Sequence, residues 1–157
     1  MLGKLTRWLR MLGCDVEYYN SLDDNELVNK ALEDKRMLLT RDTHLFRRAS
    51  VNRAQAYLIK GKTETEKLAE VARRFGIKLE LDPNNSRCPK CNAELKTVPK
   101  KKVLNKIPQS TSQYHDAFWI CQNCGQVYWQ GSHWKKITQK LLDARRLAES
   151  KASSGKI

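Results

Sequence analysis

Apolar positions in the first half of the chain switch repeatedly between helical and strand spacing. Leu2, Leu5, Trp8, Leu9 and Leu12 recur every three or four residues, which predicts an amphipathic helix ended by Gly13. Residues 14–19 read as a strand. A second helix is expected to open at Asp23, where Asp23 and Glu26 have capping-box spacing, and to continue through Leu27, Val28, Ala31 and Leu32. Met37, Leu38, Leu39 and Thr40 predict a short buried strand. Asp42 follows it directly, and a short helix is expected over 43–48. Residues 56–59 predict another strand. Thr63 and Glu66 form a second capping box, opening a helix through Leu68, Val71, Ala72 and Phe75 to Gly76. This alternation of strand and helix predicts an α/β fold with a parallel sheet.

The pattern changes after the turn-rich stretch Asp82, Pro83, Asn84, Asn85 and Ser86. Short strands are expected over 118–120 and 126–129. Before them lies an arm over 96–116, rich in lysine and then in Gln, Ser and Thr. From Trp134 the spacing is helical again, with an apolar stripe of Trp134, Ile137, Leu141, Ala144 and Ala148. Residues 151–157 read as a disordered tail. The expected organisation is an α/β unit over 1–84, a small β module over 85–133, and a basic helix with its tail over 134–157.

Two Cys-x-x-Cys pairs, Cys88 with Cys91 and Cys121 with Cys124, lie within the β module. Each such turn aims two thiolates at one point, and two turns supply the four sulfurs of a closed tetrahedral zinc site. Asn92 and Gly125 follow the pairs, and both types tolerate the left-handed backbone that turns amides toward sulfur. With four cysteines as ligands no position is left for water, so the expected zinc is structural. The alternatives are two disulfides or unrelated buried thiols. Cys14 reads as a small buried residue.

Charge is distributed unevenly. The chain carries +13 overall; residues 1–84 hold 16 Lys and Arg against 13 acids, while residues 85–157 hold 14 against 4. The second half therefore predicts a polyanion-binding surface. The candidate phosphate-binding residues are Lys100, Lys101, Lys102 and Lys106 on the arm, and Lys135, Lys136, Lys140, Arg145 and Arg146 on the last helix. Tyr114, His115, Trp119, Tyr128, Trp129, His133 and Trp134 are interleaved with basic residues, a mixture that suits phosphates plus stacked bases and so RNA over an anionic membrane. Several of these aromatics are expected to form the module's own core. The chain shows no signal peptide and no apolar run of membrane-spanning length, and it reads as a cytoplasmic protein.

In an open parallel sheet, ligands bind outside the carboxyl ends of the strands. Asp42 follows one predicted strand, and Asp23 and Asp24 follow another. If they converge they would hold a hard cation such as Mg²⁺ or Mn²⁺, which can activate water at a phosphate. Equally, each of these acids could serve only as a helix cap.

Several stretches closely resemble a known family. They are Met1-Leu2-Gly3-Lys4-Leu5-Thr6-Arg7-Trp8-Leu9-Arg10; Leu22-Asp23-Asp24-Asn25-Glu26-Leu27; Leu39-Thr40-Arg41-Asp42; Arg87-Cys88 with Cys91-Asn92; and Tyr128-Trp129-Gln130-Gly131-Ser132-His133-Trp134. Together they resemble the PIN-like ribonuclease domain with a C-terminal zinc ribbon that is named for the C-terminal part of an exonuclease-like mutator protein. The resemblance implies metal-dependent RNA cleavage by clustered acids, with Asp24 and Asp42 at two of the acid positions and Asp23 and Glu26 beside them. Members of that family carry a strand ending in Asp just before the Met-Leu-Gly-Lys-Leu segment, at which this chain begins. The expected fold is thus a PIN-like parallel sheet, N-terminally truncated, plus a zinc ribbon and a basic helix. Two readings stay open: a metal-dependent ribonuclease, or a non-catalytic RNA-binding subunit on a ribosome or another ribonucleoprotein. A DNA-binding regulator is the third.

Overall fold

The computed structural model of the chain describes residues 2–154, with side chains to residue 151. Helix α1 (Gly3–Met11) buries Leu5 and Leu9. Helix α2 (Asp24–Glu33) starts at the expected capping box: Asp23 accepts from the Glu26 amide, and the Glu26 carboxylate accepts from the Asp23 amide. Strand β1 (Leu38–Thr40), helix α3 (Thr43–Val51), strand β2 (Ala56–Leu58) and helix α4 (Glu64–Phe75) complete the α/β part. Strands β1 and β2 pair in parallel with Leu39 opposite Tyr57. Helix α4 carries the second capping box, Thr63 with Glu66, and ends at Gly76, whose φ of 67° is the left-handed cap that glycine adopts most readily.

The strand expected over 14–19 does not form. Its backbone is held by side chains instead of a ladder. The Val16 amide donates to Asn92 Oδ1 at 3.1 Å, and the Val16 carbonyl accepts from Arg10 Nε at 2.8 Å. Alternation of side chains creates a face, but a strand also requires a neighbouring strand to satisfy its amides.

A second, antiparallel sheet of β3 (Leu95–Val98), β4 (Phe118–Cys121) and β5 (Val127–Tyr128) forms the ribbon, in the order β3-β4-β5. The arm between β3 and β4 is more ordered than its composition predicts. It holds two 3₁₀ turns, Lys100–Lys102 and Leu104–Lys106, and a short helix α5 (Gln109–Tyr114). Val103 and Ile107 bury into the ribbon core beside Phe118 and Val127, which pins the arm to the sheet.

Helix α6 (Trp134–Ser154) runs back across the α/β part and packs on α4. Leu141 and Ala144 join Leu5, Leu9, Leu68, Val71 and Ala72 in the largest core cluster. Each fully buried leucine in it contributes about 1.5–3 kcal/mol relative to exposure. The tail expected over 151–157 is helical backbone as far as Ser154, and residues 155–157 lie outside the described residues. Among the described residues no helix is long and apolar enough to cross a membrane.

The ribbon is tied to the α/β part at one seam. Arg10 is 8% exposed and donates to the Val16 carbonyl, to Pro89 O at 3.0 Å and to Lys90 O at 3.5 Å. Ser86 donates to Met11 O, and Asn92 Nδ2 donates to Asp15 Oδ1. Replacing Arg10 by Ala strands several buried carbonyls, because each hydrogen bond to a charged group contributes about 1.5–3 kcal/mol and the orphaned acceptors add cost. Arg10→Ala should therefore destabilise the protein by about 3 kcal/mol, a fall of roughly 6–12 °C in Tm for a chain of this size by thermal denaturation.

Candidate metal centre and acidic edge

Each Cys-x-x-Cys pair sits on a turn built the same way. Cys88 N–H donates to Ala93 O, and Asn92 N–H donates to Cys88 O; Cys121 N–H donates to Gln126 O, and Gly125 N–H donates to Cys121 O. Asn92 at φ 72° and Gly125 at φ 76° take the left-handed conformation that closes the turns. The four sulfurs lie within 4.8 Å of one another. Cys91 and Cys121 are 3.3 Å apart and Cys88 and Cys124 are 3.7 Å apart. A tetrahedral ZnS₄ unit with Zn–S of about 2.3 Å has sulfurs about 3.8 Å apart, so the arrangement can hold a zinc ion. All four are free thiols, which removes the disulfide alternative for these residues. Cys88 and Cys121 are buried, Cys91 is half-buried and Cys124 is exposed.

The surroundings favour thiolate on part of this set. Burial pushes the Cys91 thiol up, but the Ala93 amide, the Asn123 side chain and the neighbouring thiols Cys121 and Cys88 outweigh it and bring it down to about 6. Burial raises Cys121 to about 11, against the amides of Cys124 and Asn123. One residue that the sequence does not mark as a partner of the cluster is Tyr128, whose hydroxyl lies 3.0 Å from Cys88 Sγ. Burial first, and the Cys88 sulfur second, hold that hydroxyl well above its usual range, so it stays protonated and can donate to Cys88 Sγ. Nothing in the Cys spacing signals Tyr128; the fold of the ribbon sets β5 against the first cysteine turn and brings its hydroxyl to Cys88.

The acidic candidates belong to the α/β part, at the starts of α2 and α3. Asp42 follows β1 and caps α3, its Oδ1 accepting from His44 N at 2.7 Å and Leu45 N at 3.3 Å. It is exposed at the mouth of a cavity of about 440 Å³ that runs between residues 14–19 and β1, floored by Leu5, Leu9 and Val71. Asp24 stands in the first turn of α2, half-buried, its carboxylate in no hydrogen bond or ion pair. It does not line that cavity. Asn25 beside it accepts from Arg48 of α3 at 2.7 Å, which ties the start of α2 to α3. Asp23 and Glu26 are spent on each other's amides in the capping box. The only set of three or more potential metal-ligating side chains among the described residues is the cysteine cluster. At the end of β2 the edge is sealed: Glu70 accepts from the amides of Lys60 and Gly61 and from the Tyr57 hydroxyl.

The basic candidates divide into two groups. Lys101, Lys102, Lys106, Lys135, Lys136 and Arg146 are exposed. Lys100, Lys140 and Arg145 are engaged within the fold. Lys100 pairs with Asp116 at 3.2 Å, Lys140 lies over the Trp8 ring at 5.8 Å, and Arg145 donates to Leu79 O at 3.0 Å and pairs with Glu80. Arg145 and Lys140 thus clip α6 to the α/β part. Of the interleaved aromatics, Trp119 is buried and donates to Asn84 Oδ1, Trp129 packs on Phe118, and Tyr114 is 80% exposed. In the Tyr128–Trp134 stretch, Gly131 is required by space: a Cβ there would meet Trp129 Nε1 at 2.9 Å.

Elemental analysis of purified protein should find one zinc per chain, and Cys121→Ser should lose it together with the ribbon fold, since metal binding and folding share one free energy. Cys14→Ser should keep it. Tyr128→Phe should retain the fold and release zinc to a chelator more easily, with affinity lower by about 10–100-fold, the usual effect of removing a group that supports a ligand. Unchanged zinc affinity in Tyr128→Phe would show that the hydroxyl does not support Cys88.

Comparison with known proteins agrees with the architecture. No curated protein and no solved structure gives a significant match. The family model described as the Mut7-C RNAse domain matches residues 1–141, which takes in both sheets, all four cysteines, both candidate acids and the first turns of α6. The match points to a ribonuclease-like, RNA-related function with RNA as partner, and the chain belongs to the Mut7-C RNAse domain family.

Proposed function

We propose that the protein binds RNA and cleaves it with a divalent cation, Mg²⁺ or Mn²⁺, held at Asp24 and Asp42. The observation that carries the reading is the family match, together with the position of Asp42: exposed, directly after β1, with only one carboxylate oxygen used by the α3 cap. Its second oxygen remains available to a cation. A bound cation would orient water at a phosphodiester and stabilise the leaving oxygen. In this reading the three stretches have separate roles. Residues 1–84 carry the chemistry, residues 85–133 form the zinc-held ribbon, and the exposed lysines of the ribbon arm and of α6 retain the polyanion.

One observation favours a second reading. No trio of carboxylates comes together among the described residues, and clustered negative charge is what retains a hard cation. A non-catalytic RNA-binding subunit, on a ribosome or another ribonucleoprotein, uses the same basic surface and leaves Asp42 as a cap.

A single substitution separates the roles. Asn caps a helix as well as Asp does, so Asp42→Asn preserves α3 while removing the charge. On the nuclease reading, Mg²⁺- or Mn²⁺-dependent cleavage of a labelled RNA is lost in Asp42→Asn and in Asp24→Asn, with RNA affinity and Tm nearly unchanged. Full cleavage by Asp42→Asn would reject the assignment; RNA binding without cleavage by the unmutated chain would select the subunit. For the basic surface, Lys100, Lys101 and Lys102 changed together to Ala should flatten the salt dependence of single-stranded RNA binding by about 0.7 for each phosphate that is no longer neutralised. Lys101 and Lys102 should account for most of that change, because Lys100 already faces Asp116.

A further inference from the structure

Net charge alone puts the polyanion on the second half of the chain, but one region of the first half stands apart from its surroundings. The excess of three positive charges in residues 1–84 is contained in residues 41–53, which hold Arg41, Arg47, Arg48 and Arg53 against Asp42 alone. The remainder of that half is balanced. All four basic residues here are arginines, whereas residues 85–157 hold 11 Lys and 3 Arg. Arginine presents a planar fork that matches a phosphate with two hydrogen bonds, while lysine acts as a point charge.

These arginines are also left unneutralised. Among the other arginines the fold occupies Arg10 with carbonyls, Arg36 with Asp15, Arg74 over Tyr57 and Phe75, Arg87 with Asn92 O, and Arg145 with Leu79 O and Glu80, while Arg7, Arg73 and Arg146 are exposed without such a partner but stand singly on three different helices, α1, α4 and α6. None of the ion pairs among the described residues involves Arg41, Arg47, Arg48 or Arg53. Only Arg48 has a side-chain partner, the neutral Asn25. All four are exposed.

Helical spacing aligns them. Helix α3 buries Leu45 and Ala49 against β1 and β2. His44, Arg47, Arg48 and Val51 fall at i, i+3, i+4 and i+7 on the opposite side, and Val51 is 82% exposed. The stripe spans roughly 10 Å at 1.5 Å per residue. No acid lies on it. Its N-terminal end meets Asp42, and the Arg48–Asn25 bond brings in the turn that carries Asp24.

We propose that the outer face of α3, through Arg47 and Arg48 with Arg41 and Arg53 at its ends, is the track on which a single RNA strand lays its phosphates, leading one phosphodiester to the edge that carries Asp42 and Asp24. The proposal rests on the RNA-cleaving reading and deepens it. The lysines of the arm and of α6 supply diffuse attraction, and the α3 arginines fix the register of the strand at the acids. Val51 offers an apolar surface to a ribose or base at the far end.

The test uses the zinc-loaded chain of 157 residues and a fluorescein-labelled oligouridylate, with affinity measured by anisotropy across a salt series. Arg41→Gln and Arg47→Gln are combined, because both side chains are exposed, neither has a partner, and Gln is a good helix former. The double variant should keep its zinc content and Tm. Its salt slope should fall by about 1.4, which corresponds to an affinity loss on the order of tenfold at 0.1 M salt. Crosslinking of thiouridine-substituted RNA, read by mass spectrometry, should label peptides from 41–53. If the unmutated protein binds the RNA, the lysine-arm variant loses affinity, and the arginine variant keeps both affinity and slope with no crosslink to 41–53, the α3 track is wrong and RNA binding stands. If the unmutated protein binds no RNA, or binds only vesicles of anionic lipid, the RNA reading falls and the track falls with it.

Discussion

The seam around Arg10 and Asn92 is the constraint on which the two halves of this protein depend. Asn92 adopts the left-handed conformation that closes the first cysteine turn, and the same side chain accepts from Val16 N–H and donates to Asp15. Arg10, on α1, bonds the Val16 carbonyl on one side and the Pro89 carbonyl on the other. The cysteine turn that would carry the metal is therefore also the turn that docks. Whatever stiffens the ribbon stiffens residues 14–19, which form one wall of the cavity that opens at Asp42. In this way a metal held by the four cysteines would influence the shape of the cavity that Asp42 lines, through the hydrogen bonds of Arg10 and Asn92 and without a shared ligand.

Helix α6 supplies the second tie. Its apolar stripe completes the core of the α/β part, and Arg145 and Lys140 fasten its flanks to Glu80 and Trp8. Some of the positive charge of the C-terminal half is thereby used for packing and docking. A long cationic side chain covers apolar surface with its stem while its head finds a partner. Net charge of a segment overestimates the charge available to a ligand by the residues so engaged.

Much of this is legible along the chain. Capping boxes at Asp23 and Thr63 depend on residues three apart and form as their spacing predicts, as do the helices behind them. The cysteine turns are equally local, because both residues of each pair are fixed by one turn. What the chain does not reveal is non-local. Residues 14–19 alternate as a strand does, yet their amides are satisfied by Asn92 and Arg10, which lie on other elements. The packing of the arm is not signalled by its lysine-rich and polar composition, because Val103 and Ile107 are too few to make a periodic signal, although both are buried. The role of Tyr128 is hidden for the same reason: the fold of the ribbon, not spacing along the chain, sets it beside Cys88.

At the acidic edge the proposed nuclease reading would ask one carboxylate to serve both as a cap and as a cation ligand. Helix α3 needs a cap at residue 42, and Asp42 provides it with Oδ1 alone. A cap of this kind holds the side chain by one oxygen and leaves the second without a partner, which is the preorganisation that a cation ligand requires. Ser or Thr would cap the same amides but bring no negative charge, and Asn would bring geometry without charge. Asp, Asn and Ser cap about equally well, and the charge of Asp adds only a small favourable interaction with the helix dipole. On the proposed nuclease reading, a cation held by Asp42 beside arginines that no acid neutralises would be where that charge has a chemical consequence. The arginines also oppose a bare cation by repulsion, so metal and phosphate are expected to arrive as partners, each reducing the other's electrostatic cost.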